Sequence, residues 1–297
     1  ESFEKPSLAV GTVKRDDLIK ALDKMPLYSS DDDTRHVLQQ AVLDVNPAGE
    51  AKLVATDGRR MMVIPLEGKF APGEYGFLMS KTAIAGYRGM SGDTIKIKAS
   101  KVENEISHVG LVGEDGYMTM RSTKGKFPTY GQIFPKVIKQ YSLSRDNLFE
   151  ALKQLAPYSK QDPQGQLFIR ELPDSWELSA GKENKKIVSI PIMVKDVAYG
   201  PVIDGALVMP MRTDKAIEGT LAAFQHKFII DMAASFSGDT IFAGYQHGTA
   251  PVQFSDQDLS KVIQSTSEKR EFKIAELRND LKKANAEYKA TRALWRK

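Results

Sequence analysis

Two stretches of this chain occur twice in the same order, and that duplication limits the fold more than any single motif does. Arg15-Asp16-x-Leu18-x-x-Ala21-Leu22-x-x-Met25-x-x-Tyr28-Ser29 matches Arg145-Asp146-x-Leu148-x-x-Ala151-Leu152-x-x-Leu155-x-x-Tyr158-Ser159 at a constant offset of 130. Ser91-Gly92-Asp93-Thr94-Ile95 recurs unchanged as Ser237-Gly238-Asp239-Thr240-Ile241. A chain of 297 residues has room for two domains with proper cores. Two ordered markers therefore define a tandem duplication, and each copy reads as strand, helix, several strands, then helix and strands again.

The local signals fit that reading. Leu8-Ala9-Val10 reads as a strand. After Lys14-Arg15-Asp16-Asp17, the positions Leu18, Ile19, Leu22 and Met25 repeat with helical spacing, with Lys20 and Lys24 on the other side and Pro26 closing the pattern. A polar loop spans 29–33, and 37–45 reads as a strand that turns at Asn46-Pro47-Ala48-Gly49. Leu53-Val54-Ala55 then runs through Thr56-Asp57-Gly58 into Arg59-Arg60-Met61-Met62-Val63-Ile64. This is a hairpin signal, because Gly58 tolerates positive φ and Asp57 can bond its own backbone. A strand at 75–79, an N-cap at Ser80, a short helix at 81–90 and alternating strands at 94–98 and 117–121 complete the first copy. Phe127-Pro128-Thr129-Tyr130 and Phe134-Pro135 have extended character and read as the connector. The second copy has its own late helix at 227–236. The stretch 196–225 is longer than its counterpart in the first copy.

One apolar face per short helix predicts an α+β fold, with antiparallel sheets covered on one side by helices. The expected boundaries are 1–135 for the first domain with its connector, 136–256 for the second, and 257–297 for a different kind of segment. That tail has no Gly or Pro. Ile274, Leu277, Leu281, Ala284, Tyr288, Thr291 and Trp295 form a heptad seam along it. It can be a self-associating coil, a helix folded back on the body, or a basic arm.

Composition excludes several classes. There is no cysteine, hence no disulfide framework and no cysteine nucleophile or ligand. No apolar run reaches the roughly 20 residues of a membrane span. The formal charge of +4 is unevenly placed: 257–297 carries 11 basic and 6 acidic residues, which leaves the body at −1. Nucleic-acid contact by the body would need local clustering rather than bulk charge. His36, His108, His226 and His247 lack ligand spacing, and no phosphate-binding loop or nucleophile elbow occurs, so no enzyme, cofactor or metal is expected. Asp31-Asp32-Asp33 reads as a solvated loop.

With the repeat and hairpin in place, the chain resembles the sliding clamps of DNA replication, most closely the bacterial polymerase III beta clamp family. The resemblance rests on Asp33-Thr34-Arg35-His36-Val37-Leu38, Val54-Ala55-Thr56-Asp57-Gly58-Arg59-Arg60-Met61, Lys126-Phe127-Pro128-Thr129-Tyr130 with Ile133-Phe134-Pro135, Phe228-Ile229-Ile230-Asp231-Met232, and Pro251-Val252-Gln253-Phe254. It covers about 8–256 and matches the last two of that family's three domains.

The resemblance implies six similar domains in a ring around duplex DNA, with tandem clamp domains, sheets outside and short helices lining the hole. Three copies of a two-domain chain would supply six, so a homotrimer is expected, with a phage or mobile-element origin and a cytoplasmic setting. Lys20, Lys24, Lys81, Arg88, Lys153 and Lys227 would face the DNA phosphates without reading sequence. Leu38, Thr56, Gly58, Arg59, Arg60, Met61, Pro128 and Ile133 match the family's apolar pocket for short peptides of the DNA polymerase, the clamp loader and other partners, with Arg at the rim. Gln132 stands where the family commonly has Arg. Met209-Pro210-Met211 resembles the family's terminal pocket-closing sequence but lies elsewhere in the order. The alternative is a clamp-derived interaction or inhibitor protein that does not encircle DNA and acts through its C-terminal helix.

Overall fold

The computed structural model describes residues 6–73, 75–80, 86–102, 105–122, 125–135, 139–161, 165–180, 188–197, 207–209, 220–245 and 251–256. Two compact units divide between Gln132 and Ile133, with Leu207, the first residue of a short strand at Leu207–Met209, grouped with the first. The heptad seam of the tail, residues 81–85 of the helix expected at 81–90, and Pro210 and Met211 lie outside the described residues.

In the first unit, β1 (Leu8–Lys14) leads directly into α1 (Arg15–Tyr28). The buried residues of α1 are Leu18, Ala21, Leu22, Met25 and Tyr28, the stripe that the 3.6-residue period predicts. Pro26 does not end the helix. It sits in the last turn, where the missing N–H costs one bond, and α1 continues to Tyr28. The stripe packs on a four-strand antiparallel run in the order β4 (Met61–Leu66), β3 (Ala51–Thr56), β2 (Gln40–Val45), β6 (Tyr75–Ser80). Leu43 faces Leu53 and Phe77 in register, and all three are fully buried. β2 starts at Gln40, later than its apolar pattern suggests. Residues 36–39 form a turn instead, after a 3₁₀ turn at Asp33–Arg35. Asp32 causes this: its carboxylate accepts from the Thr34 amide at 2.9 Å and the Thr34 hydroxyl at 2.7 Å. Those bonds hold the Asp32 carboxyl below its ordinary range. The aspartate run is thus a turn cap, and no metal-binding group of three ligands exists among the described residues.

A second antiparallel sheet in this unit has the order β5 (Gly68–Phe70), β1, β7 (Thr94–Val102), β8 (Glu105–Val112), β9 (Tyr117–Arg121). Val13, Ile95, Ile97, Ala99, Val109 and Leu111 form its buried face.

The second unit contains β10 (Lys139–Ser144) and α2 (Arg145–Ser159), then β11 (Gln166–Glu171), β12 (Ser175–Ala180) and β13 (Val188–Val197). A short strand, β14 (Leu207–Met209), comes next, then β15 (Thr220–Gln225), α3 (His226–Ser235), β16 (Thr240–Tyr245) and β17 (Val252–Asp256). Seven of its strands run antiparallel in the order β15-β11-β12-β13-β10-β16-β17. α2 and α3 pack on each other and on these strands. Tyr141 and Trp176 meet edge-on at 5.1 Å in the core, and the Tyr141 hydroxyl donates to Glu171.

The duplication is visible atom by atom. The Arg15 amide donates to the Asp93 carbonyl at 2.9 Å, and the Arg145 amide donates to the Asp239 carbonyl at 2.9 Å. Each arginine side chain also reaches the turn before the repeated Ser-Gly-Asp. Arg15 donates to the Met90 and Arg88 carbonyls, and Arg145 to the Phe236 carbonyl at 2.8 Å. Each has the following aspartate as an ion-pair partner at 2.9 Å. Lys14 pairs with Thr94 and Ser144 with Thr240 in equivalent registers.

His226 opens α3 at 7% exposure, and its Nε2 donates to the Leu152 carbonyl at 2.8 Å, joining α3 to α2. Burial is the main reason that its pKa lies below the ordinary 6.5. Lys160 pushes the same way, and the bond to Leu152 opposes both. The folded state therefore binds fewer protons than the unfolded state. The resulting stability is fully present above pH 6.5 and is lost as pH falls from 6.5 towards the depressed folded value. Melting temperature measured across that window should fall on acidification. His226→Gln, which keeps a donor but does not titrate, should remove this component of the fall.

Candidate functional site

The β3–β4 hairpin is built from its own polar groups. Asp57 Oδ1 accepts from the amides of Arg59 at 2.8 Å and Arg60 at 2.9 Å. Thr56 Oγ1 donates to the Arg60 carbonyl at 2.7 Å and accepts from the Gly58 amide at 3.1 Å. Gly58 has φ of +81°, the left-handed conformation that the Asp-Gly pair predicts. A Cβ there would also lie 3.1 Å from an Arg35 guanidinium nitrogen and 3.8 Å from Leu38. The close approach of the 35–38 turn thus depends on glycine. Arg59 is exposed at the tip.

Arg60 and Met61 depart from the expectation of an accessible pocket lining. Arg60 is 5% exposed. Its Nε donates to Asp57 at 3.1 Å, a terminal nitrogen donates to the Leu27 carbonyl at 2.7 Å, and its guanidinium lies 5.1 Å from the centre of the Tyr28 ring. It ties the hairpin to the end of α1 and does not stand at a rim. Met61 is 2% exposed, because β4 is covered on both faces. The structure therefore groups Leu38, Thr56, Gly58 and Arg59 at one accessible corner, with Arg60 and Met61 beneath it.

Pro128 lines a groove of about 600 Å³ within the first unit, and Gly125 of the same segment lies against Val37, the neighbour of Leu38. The segment 125–131 forms one wall, and Val42, Asp44, Lys52, Gly76 and Leu78 form the other. The Tyr130 hydroxyl donates to Asp44 at 2.5 Å and holds the segment against β2. Ile133, 44% exposed, is the first residue of the second unit. Asp44 and Lys52 were not named as site residues, and Arg35 and Tyr130 entered only as members of the motifs that carry the resemblance. A signal in β2 was the pair of polar residues Gln40 and Asp44 on either side of Val42 in an otherwise apolar strand.

The helix cations are mostly neutralised locally. Lys20 is exposed and has no ion pair among the described residues. Lys24 is half-buried. Arg88 pairs with Asp23 at 2.9 Å, Lys153 with Glu150 at 2.7 Å and Lys227 with Asp231 at 2.6 Å. Lys81 lies outside the described residues.

Removing one member of a buried ion pair strands the other charge and its bonded groups. Arg60→Ala should therefore cost about 3–5 kcal/mol, read as a lower urea midpoint, whereas Arg59→Ala at the exposed tip should stay within about 0.5 kcal/mol of the parent.

No family model matches the chain. The "Beta sliding clamp" of Synechococcus elongatus is 25% identical over 186 residues, which is 62% of this chain and 46% of that protein. The chain thus spans about half the length of the curated relative it matches. Among solved structures, the DNA polymerase III beta subunit of Thermotoga maritima superposes with a TM-score of 0.70 at 18% identity, covering 87% of this chain and 65% of that one. A Pseudomonas aeruginosa sliding clamp bound to griselimycin gives 0.70 at 16% identity, covering 87% and 64%. By sequence and by fold, the chain is akin to the bacterial DNA polymerase III beta sliding clamps, the family that its motifs resemble.

Proposed function

We propose that the protein is a DNA sliding clamp. It encircles duplex DNA without reading sequence and tethers a DNA polymerase, and the loader that places it, through short peptides. The observation that carries this reading is the duplicated helix start: Arg15 on the Asp93 turn and Arg145 on the Asp239 turn build two units on one plan, as a ring of repeated domains requires. Three copies of the chain supply six such units. Head-to-tail pairing of edge strands closes the ring and hides edges that would otherwise aggregate. The clamp is non-catalytic and works in the cytoplasm.

The helix surfaces suit sliding rather than gripping. Lys153 on α2 and Lys227 on α3 are paired, and Asp23 of α1 holds Arg88, so the field is weak and phosphate contacts are few and exchange quickly. The corner at Leu38, Thr56, Gly58 and Arg59 receives the peptide: a half-buried apolar side chain beside a glycine that permits close approach, with one exposed guanidinium for an acidic or terminal carboxylate.

Light scattering on the full chain should give three times the 33.0 kDa chain mass. A monomer, or a trimer that dissociates when the chain is ended at residue 257, would favour an interaction protein working through its tail. Lys20→Glu with Lys153→Glu should shorten retention on closed circular DNA without changing the melting temperature. Unchanged retention would remove those helix faces from the DNA path. Leu38→Asp with Arg59→Glu should weaken binding of a polymerase-derived peptide at least tenfold while the mass stays the same. Unaltered binding would place the peptide site elsewhere.

A further inference from the structure

The unpaired cations of the first unit are concentrated on a sheet, not on its helix. On the five-stranded sheet, the buried face takes Val13, Ile95, Ile97, Ala99, Val109 and Leu111, so strand alternation sends the intervening residues to the opposite face. The registers set out that face row by row. Lys69 on β5 lies opposite Thr12, which lies opposite Lys96 on β7, and Val112 and Tyr117 complete the row. In the next row Ala9, Lys98, Gly110 and Thr119 are neighbours, and beyond it Ser100, His108 and Arg121. Four permanent cations, Lys69, Lys96, Lys98 and Arg121, thus share one face with a histidine and no carboxylate among the described residues in these rows. Lys69, Lys96 and Arg121 are exposed, Lys98 is half-buried, and Tyr117 is 54% exposed. None of the four cations has an ion pair among the described residues, in contrast to Arg88, Lys153 and Lys227. Glu114 and Asp115 lie in the turn between β8 and β9, outside the rows.

Like charges on neighbouring positions of a sheet repel, and no carboxylate among the described residues of these rows compensates for them. The spacing suits an extended polyanion. Lys96 and Lys98 are two residues apart on one strand, roughly 6.8 Å, and Lys69 is two strands from Lys96, about 9.6 Å. The groove at 125–131 lies on the other sheet of this unit. An acidic peptide draws its specificity from pockets for alternate side chains, whereas a polyphosphate backbone needs only cations spaced along a face. Pro6 packs over Gly110 in the middle row, 3.2 Å from where a Cβ would stand, so the cations lie around a covered centre. Cations spaced along a face beside an exposed aromatic ring are the arrangement that holds single-stranded nucleic acid, through its phosphates and a base stacked on the ring.

We propose that this face of the β5-β1-β7-β8-β9 sheet binds single-stranded nucleic acid, with Lys69, Lys96, Lys98 and Arg121 on the phosphates and Tyr117 as the stacking platform. This site is separate from the helix faces assigned to duplex DNA and does not depend on ring formation.

The test uses the full chain and a short, linear, labelled oligothymidylate, followed by fluorescence anisotropy over a salt series. A linear strand of this length cannot be retained by encirclement, so the readout differs from retention on circles. Lys96→Glu with Lys98→Glu should weaken binding at least tenfold at low salt. Lys96→Gln with Lys98→Gln should reduce the slope of log affinity against log salt by about 1.4, two phosphate contacts at about 0.7 each. Tyr117→Ala should weaken binding several-fold without changing that slope. The basic segment 257–297 is common to all these proteins and cancels in the comparison. Parental affinity in the Lys96/Lys98 variants, with melting temperatures unchanged, would overturn the proposal. So would a failure of the parent to bind the strand, or its displacement by polyglutamate at equal charge concentration, which would assign the face to acidic peptides.

Discussion

Each unit depends on how its long helix begins. An α-helix leaves its first amides without intrahelical acceptors. Here the amide of Arg15 or Arg145 is satisfied by the carbonyl of a distant aspartate, Asp93 or Asp239, and the same arginine's guanidinium binds carbonyls of the turn just before it. One residue thus joins a strand, the helix that follows and the Ser-Gly-Asp turn that returns to pair with that strand. Gly92, at φ of +97°, allows the first of these turns to close. The register of β1 on β7, and of β10 on β16, is set next to these contacts. The helix direction then fixes which residues meet the sheet, and Leu18, Ala21, Leu22 and Met25 reach it in one unit as Leu148, Ala151, Leu152 and Leu155 do in the other.

This is why the repeated stretches were the most informative part of the chain. They are not two separate signatures but the two halves of one contact, and each half constrains the other. The apolar stripe, the Asp57-Gly58 turn and the alternating strands at 94–98 and 117–121 were legible because each follows from a local period or a local backbone demand. Other features are decided by partners far away in sequence. Arg60 looks like a surface residue beside Arg59, and only the Leu27 carbonyl and the Tyr28 ring, 33 and 32 positions earlier, make it part of the interior. The start of β2 at Gln40 was hidden because the apolar Val37 and Leu38 extend the pattern, while the Asp32 cap turns the backbone there. Pro26 reads as a stop, yet a proline in the final turn removes only one bond, and α2 carries Pro157 at a similar place.

The groove at 125–131 has the same origin. Neither Asp44 on a strand nor Tyr130 in a Pro-rich segment identifies itself as functional. The hydroxyl–carboxylate bond between them, over 86 residues of chain, fixes the segment on the sheet and leaves a cleft lined by Lys52 and Leu78. A hydrogen bond to an ionised acceptor is worth about 1.5–3 kcal/mol, enough to decide which of several extended conformations the segment holds.

Charge placement connects the fold to function. Acidic neighbours within a helical turn, such as Glu150 for Lys153 and Asp231 for Lys227, cancel most of the field on the helices at short range. At physiological salt the remaining field decays over about 8 Å, so a surface of this kind touches a polyanion without holding it. The sheet face of the first unit is built the other way, because the described rows that carry Lys69, Lys96, Lys98 and Arg121 hold no carboxylate. A chain whose body is nearly neutral can therefore carry both balanced and unbalanced surfaces, because the effect of a cation depends on whether an acid lies beside it, as Glu150 does for Lys153, and not only on how many cations there are.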